Sequence, residues 1–248
     1  MGRFFTEIKL MQHRAIIVFL AALVSLTSGC ATVTKDGEID KDPYEGFNRT
    51  MYSFNEGLDN AVLKPLAKGY NAITPEPVNK GVTNFFNNLA DVGSAINNLL
   101  QMKLSRAAND VGRVLINTTI GLLGFVDVAS NLDMPSYKED FGQTLGTWGS
   151  ESGPYIVLPF FGPSSGRDAI GLVVDWFTDP VTYIEDDTTR WSLRGLNVVD
   201  TRADLMNASR VLNQAALDPY IFTREAYLQK RRSEVYDGNP PEEPDPYE

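Results

Sequence analysis

Residue types able to do chemistry are concentrated in 162-GPSSGRD-168, where Ser164, Ser165, Arg167 and Asp168 follow the apolar run 155-YIVLPFF-161. Three roles suit such a stretch. A serine becomes a nucleophile when a neighbouring base takes its proton. The first amides of a helix, with Arg167 beside them, can hold a phosphate. The third role involves no reaction. Ser165 would accept a hydrogen bond from an otherwise unpaired helix amide, and Asp168, three residues on, would reach back. Ile170, Val173, Val174 and Phe177 continue at helical spacing. That pattern makes a helix start the main reading.

The chain has one histidine, His13, and one cysteine, Cys30. Both lie in a segment that reads as an export signal. Arg3, Lys9 and Arg14 precede and flank the apolar run 15-AIIVFLAALVSL-26, and 27-TSGC-30 follows. A basic head, an apolar stretch of this length and small residues before a cut site make a secretory signal rather than a membrane span. Met11 offers a second start. Small residues before Cys30 resemble a lipobox, in which Cys30 is acylated and becomes the mature N-terminus. Thr27 departs from that pattern, and ordinary cleavage leaving an unmodified Cys30 is the alternative.

Cleavage before Cys30 removes Arg3, Glu7, Lys9 and Arg14 and leaves 219 residues with 19 basic and 31 acidic groups, a net charge of −12. The mature chain then lacks histidine and any second cysteine. Ser-His-Asp and Cys-His catalysis are excluded, as are zinc sites built from His or Cys and internal disulfides. No metal and no cofactor are expected. Nor is nucleic-acid binding, because an acidic chain presents no broad basic face to phosphates. No mature segment approaches the roughly 18 apolar residues of a spanning helix. Acidity does not exclude a membrane when an acyl chain supplies the attachment.

Four stretches of chain divide the sequence. Residues 1–29 form the signal, 30–42 a polar tether, 43–236 one helical domain and 237–248 a Pro-rich acidic tail of disordered composition. The pairs Asp42-Pro43, Asp179-Pro180 and Asp218-Pro219 read as helix starts, with aspartate capping and proline in the first turn. Strand patterns are confined to 155-YIVL-158 and 181-VTYI-184.

The clearest helix starts near Pro77. Val78, Val82, Phe85, Leu89, Val92, Ile96 and Leu99 make one apolar stripe at helical period. Its other faces carry Asn79, Asn84, Asn87, Asn88, Asn97 and Asn98. Asparagine is a poor helix former, because its side chain competes for backbone hydrogen bonds. A neutral amide face suits a wet channel or a headgroup layer; plain solvent exposure is the alternative. A second helix runs through 105–121, with a weaker stripe of Ala107, Val111, Val114 and Thr118. It ends in the glycine-punctuated apolar stretch 117-NTTIGLLGFVDVA-129. Insertion at an interface and a buried turn fit that stretch equally. Gly142, Gly146, Gly149 and Gly153 in 141-FGQTLGTWGSESGPY-155 permit tight turns or a hinge. Lys230, Arg231 and Arg232 near the end of the last helix complement its C-terminus.

Seven phrases, in order from about Pro43 to about Arg231, together resemble one family. They are PYEGFNRTMYSFNEGLD at 43–59, LKP at 63–65, GVTNFFNNL at 81–89, NTTIGLLGFVDVA at 117–129, EDFGQTLGTWG at 139–149, GPYIVLPFFGPSSGRD at 153–168 and DPYIFTREAY at 218–227. The chain resembles the MlaA (VacJ) lipoproteins of the Gram-negative outer membrane. The resemblance implies an all-α fold, a ring-shaped arrangement of amphipathic helices embedded in the periplasmic leaflet around a central channel. It implies removal of mislocalised phospholipids from the outer leaflet and their transfer to the periplasmic carrier MlaC, in complex with a trimeric porin and without covalent chemistry. Ala31 after the lipid-bearing cysteine resembles the sorting signal for the outer membrane. On this basis Asn84, Phe85, Phe86, Asn87 and Asn88 are expected to shape the ring and bore. Gly142, Gly146, Gly149 and Gly153 are expected to form a gate. Arg167, Lys230, Arg231 and Arg232 are candidates for contact with headgroups or the carrier. A serine-dependent lipid hydrolase using Ser164 or Ser165, and a lipoprotein that only scaffolds porins, are the competing readings.

Overall fold

The computed structural model describes residues 42–242. Cys30, the signal, most of the tether and the end of the tail lie outside them. The described domain is a succession of helices with one small hairpin, which bears out the all-α reading. Helix α1 spans Glu45–Leu58 and continues through a π-helical turn, Asp59–Leu63, into α2, Lys64–Ile73. Helix α3, Glu76–Leu100, has Pro75 in its N-cap position and Pro77 in its first turn, where a missing amide costs nothing. Helix α4 is Leu104–Thr119, α5 is the single turn Val128–Asn131 and α6 is Phe141–Thr147.

Strands β1, Tyr155–Leu158, and β2, Gly162–Ser165, pair antiparallel with Tyr155 opposite Ser165. Residues 155–158 are therefore the strand their pattern predicts. Residues 181–184 are not: Pro180–Tyr183 forms a 3-10 turn capped by the Asp179 carboxylate on the Val181 amide at 2.9 Å. Proline fixes the first position and aspartate satisfies the amide, so the local cap overrides the β-branched pattern. Helix α7 is Gly166–Thr178, α8 Asp187–Asp204, α9 Met206–Ala215 and α10 Pro219–Val235. Asp218 caps α10 on the amides of Tyr220 and Ile221 at 2.9 and 3.3 Å. For α1 the N-cap position is Tyr44, two residues after Asp42.

Polarity is inverted relative to a water-soluble domain. Among the described residues, twelve apolar side chains are buried, six of them alanines, against nineteen buried polar or charged ones. Thirty-five large apolar side chains are exposed. Soluble proteins seldom bury charged residues unless these are paired, and exposed apolar surface beyond scattered single residues marks a contact site for protein or membrane. Helix α3 shows the inversion most plainly. Of the stripe Val78, Val82, Phe85, Leu89, Val92, Ile96, Leu99, Val82 alone is buried, and Val78, Ile96 and Leu99 are exposed. The buried stripe is Asn88, Asp91, Ser94, Asn97, Asn98 and, one residue beyond, Gln101. Among the described residues, Tyr155, Val157 and Tyr220 form a buried apolar cluster, with Met51, Tyr52, Tyr227 and Leu228 packed against it. No described helix is long and apolar enough to cross a membrane.

Candidate functional site

The buried polar stripe of α3 satisfies itself within the fold, as buried polar groups must. Asn98 donates to Asp110 on α4 at 2.8 Å, and Arg113 on α4 donates to Asp91 at 3.0 Å and to the Met134 carbonyl at 2.6 Å. Thr144 on α6 donates to Asn97 at 2.8 Å, and Gln101 donates to Glu139 at 2.9 Å. Burial pushes the Asp110 carboxyl up to about 6. The amides on α3 are structural cross-links, a role that a charge could not fill without a partner.

Asn84 donates to the Phe125 carbonyl at 3.1 Å, and Asn88 donates to Thr118 at 2.9 Å. Both hold the loop after α4. That loop turns back through three successive left-handed residues, Leu122, Leu123 and Gly124, a conformation costly for leucine. Gly124 packs so close to Asn88 that a Cβ there would fall 2.7 Å from the Asn88 Cβ. The result is that Leu122 and Leu123 stay exposed while the two flanking glycines are buried. Phe85 stacks edge-on against Phe86 and lies 5.7 Å from the Phe125 ring.

A cavity of about 950 Å³ lies within the helical domain. One part of its wall is apolar: Phe86 and Leu89 on α3, Leu172 and Trp176 on α7, Trp191 on α8, and Phe160 and Phe161 at the hairpin tip. Another part is charged: Lys138, Glu139 and Asp140 before α6, and Lys230, Arg231 and Glu234 on α10. The hairpin is held to α1 by Asn48, which donates to the Tyr155 carbonyl at 3.0 Å and accepts from the Val157 amide at 2.8 Å. Asn55 does the same at the tip, donating to the Leu158 carbonyl and accepting from the Phe160 amide. Neither asparagine is singled out by the sequence, since nothing local announces a partner about a hundred residues away.

The charged end is built around Arg231. Its guanidinium donates to Asp140 at 2.6 and 2.9 Å, to Asp168 at 3.0 and 2.9 Å and to Glu234 at 3.0 Å. Tyr227 donates to the same Asp168 at 2.5 Å. Burial alone would raise the Asp168 carboxyl, but the hydrogen bonds and charge of Arg231, with Tyr227, win and hold it at about 2. Burial works against the Arg231 charge, yet Asp140 and Asp168 hold its pKa above that of a free guanidinium. Asp175, on the cavity wall, accepts from the Phe141 amide at 3.0 Å, and burial with the neighbouring Asp140 charge raises it to about 6.

Of the residues expected to shape the bore, Phe86 lines this cavity, and Asn87 touches its wall by accepting from Lys138 at 2.7 Å. Asn84, Phe85 and Asn88 face the loop after α4 instead. Gly142 and Gly146 lie in α6 and serve close packing. A Cβ on Gly142 would sit 2.5 Å from Asp168 Oδ1, and one on Gly146 would sit 2.9 Å from Arg167 and Val235. Gly149 and Gly153 take left-handed turns, with φ of 91° and 68°, and a Cβ on Gly149 would meet nothing. Arg167 is buried and donates to Asp168 at 3.1 Å. Lys230 is exposed beside the cavity, and Arg232 donates to the Pro241 carbonyl at 2.5 Å.

The stretch 162–168 is a helix start. Ser165 is fully buried and accepts from the Asp168 amide at 3.1 Å. Asp168 does not reach back to complete the expected reciprocal cap, because Arg231 and Tyr227 hold its carboxylate. Ser164 is buried and donates to the Ser165 carbonyl at 3.4 Å. Among the described residues neither serine is hydrogen-bonded to a histidine or lysine that could take its proton. Among the described residues no cluster of His, Cys, Asp and Glu could hold a metal ion.

Many exposed apolar side chains over a polar, hydrogen-bonded interior, with an amphipathic cavity, are the features of a lipid-handling protein that associates with a membrane. The chain belongs to the MlaA lipoprotein family, whose model matches residues 40–234. It is 36% identical over 243 residues to the intermembrane phospholipid transport system lipoprotein MlaA of Haemophilus influenzae, covering 92% of this chain and 93% of that protein. It is 36% identical over 217 residues to the protein of the same name from Escherichia coli K12, with 85% of each chain covered. A solved structure, described as the structural basis for maintenance of bacterial outer membrane lipid asymmetry, superposes with a TM-score of 0.67. It has 33% identity and covers 81% of this chain and 100% of that one.

Proposed function

We propose that this protein is a lipid-anchored lipoprotein of the outer membrane. It draws phospholipids from the outer leaflet through an amphipathic channel and passes them to a periplasmic carrier. Phospholipid transport that maintains outer-membrane lipid asymmetry is the activity in the name and description of its relatives and structural neighbour. The observation that carries the reading is the cavity of about 950 Å³ with an apolar wall and a charged end, in a protein that exposes thirty-five large apolar side chains among its described residues. A phospholipid has the same two parts, and each finds chemistry of its own kind. Amphipathic helices such as α3, with Val78, Ile96 and Leu99 outward, would lie in the periplasmic leaflet, ringed around the channel. Cys30 would carry the acyl anchor, at the end of a tether from residue 30 to residue 42 and after removal of residues 1–29. The trimeric porin and the carrier MlaC are the partners this reading entails. The turn from Gly149 to Gly153 is the segment we assign as the gate, because both glycines take left-handed conformations and a Cβ on Gly149 would meet nothing. No covalent step is involved.

The test is outer-leaflet phospholipid in a deletion strain. Phospholipid should accumulate there and return to normal with the wild-type gene or with Ser164→Ala/Ser165→Ala. Restoration by wild type alone, with the double variant folded, would favour the hydrolase. Normal outer-leaflet lipid in the deletion strain would remove the transport reading.

A further inference from the structure

We infer that Lys138 and Lys230 hold the phosphodiester of a phospholipid headgroup at the charged end of the cavity, an inference that rests on the transport reading above. Four cations line the cavity: Lys138, Arg194, Lys230 and Arg231. Two of them are spent. Arg231 is shared among Asp140, Asp168 and Glu234. Arg194 pairs with Asp179 at 3.2 Å, donates to Thr182 and lies 3.6 Å over the Trp176 ring.

Lys138 is different. Among the described residues its ammonium donates to the neutral Asn87 side-chain carbonyl at 2.7 Å and forms no ion pair. Asn87 therefore aims the ammonium without neutralising it. Lys230 has a single ion pair, to Glu234 at 3.4 Å, and its side chain is 73% exposed. The two lysines are brought to the same end of the cavity by one clamp. Lys138 lies two residues before Asp140, Lys230 lies next to Arg231, and Arg231 grips Asp140 at 2.6 Å.

The acidic groups on this side do not compete for the lysines on equal terms. Glu139 is engaged by Gln101 and Lys103, Asp140 by Arg231, Asp175 by the Phe141 amide and Asn97, and Glu234 by Arg231. Asp91, whose charge also reaches Lys138, is held by Arg113 at 3.0 Å. A phosphodiester carries one negative charge on two equivalent oxygens. Two mobile ammonium groups can each take one, while the acyl chains lie against Leu89, Leu172 and Trp176.

The test uses the mature chain in detergent, with quenching of the cavity-lining Trp176 and Trp191 as the signal. The probes are dihexanoylphosphatidylglycerol, dihexanoylglycerol and inorganic phosphate. Wild type should prefer the phospholipid over the phosphate-free lipid by about tenfold or more. Lys138→Gln/Lys230→Gln should lose that preference while keeping its affinity for dihexanoylglycerol, which also shows that the cavity is intact. Lys138→Arg/Lys230→Arg should keep the preference. An unchanged preference in the glutamine variant would overturn the assignment and leave the transport reading standing. Inorganic phosphate binding as tightly as the phospholipid would overturn it too, since the site would then serve free anions. Wild type that binds neither lipid would bring down the transport reading itself.

Discussion

Methionine at position 231 would keep much of the arginine's length and remove its charge. Asp140 and Asp168 would then face each other's neighbourhood without the cation that now bonds each of them twice. Asp168 is buried, so its charge has little water to turn to. Removing one partner of a buried ion pair costs about 3–5 kcal/mol. The Asp168 carboxyl gives a second route to the magnitude. Holding it at about 2 instead of 3.8 corresponds to about 2.4 kcal/mol. Because the folded value lies below the unfolded one, this stability is present above about pH 3.8 and is lost as pH falls through 2. The two figures agree in order. For a domain of this size, each kcal/mol shifts the melting temperature by about 2–4 °C, so Arg231→Met should melt roughly 6–20 °C below wild type. Circular dichroism of the mature chain in detergent at pH 7.5 measures it. Arg231→Lys should recover less than half of the loss, because one ammonium cannot make paired bonds to two carboxylates. A melting temperature within a degree or two of wild type, combined with lost lipid binding, would refute the reasoning. It would mean that the guanidinium serves a headgroup and the frame stands without it.

Three further outcomes follow from the packing. Asp110→Asn should stabilise the fold by about 1–3 kcal/mol at pH 7.5, because it removes a buried charge and offers a donor to Asn98 Oδ1, which is buried without a partner. The raised Asp110 carboxyl weakens the fold above pH 6 and stops doing so as pH falls toward 3.8, so the gain should vanish in acid-melting curves near pH 4. Gly171→Ala should destabilise by about 1–3 kcal/mol or more, since its Cβ would lie 2.4 Å from the Gly142 amide nitrogen, whereas Gly195→Ala, with nothing near its Cβ, should be neutral or stabilising in the same denaturation assay. Ser165→Ala should cost about 1 kcal/mol through loss of the α7 cap while leaving outer-leaflet lipid removal intact in the complementation assay.

The sequence by itself determined the helices, their proline and aspartate starts at Asp179 and Asp218, the strand at 155–158 and the confinement of histidine and cysteine to His13 and Cys30. These are local properties, set by caps, periodicity and residue inventory within one or two turns of chain. It also marked Ser165 as a cap, and that is what Ser165 does. Only the tertiary structure decided which face of α3 points inward. Periodicity reports two opposed stripes, apolar and polar, but does not say which one meets water, lipid or protein. A reader expecting a soluble domain buries Val78, Ile96 and Leu99; the fold buries Asn88, Asp91, Asn97 and Asn98 because partners such as Asp110, Arg113 and Thr144 arrive from α4 and α6. The same holds for Arg231. Its neighbours in sequence make it one of three cations near a helix end, and only Asp140 and Asp168, brought from 91 and 63 residues away, make it the clamp of the cavity's charged end. A buried charge is tolerable only where its counter-charges converge, and convergence of distant residues is a property of the fold.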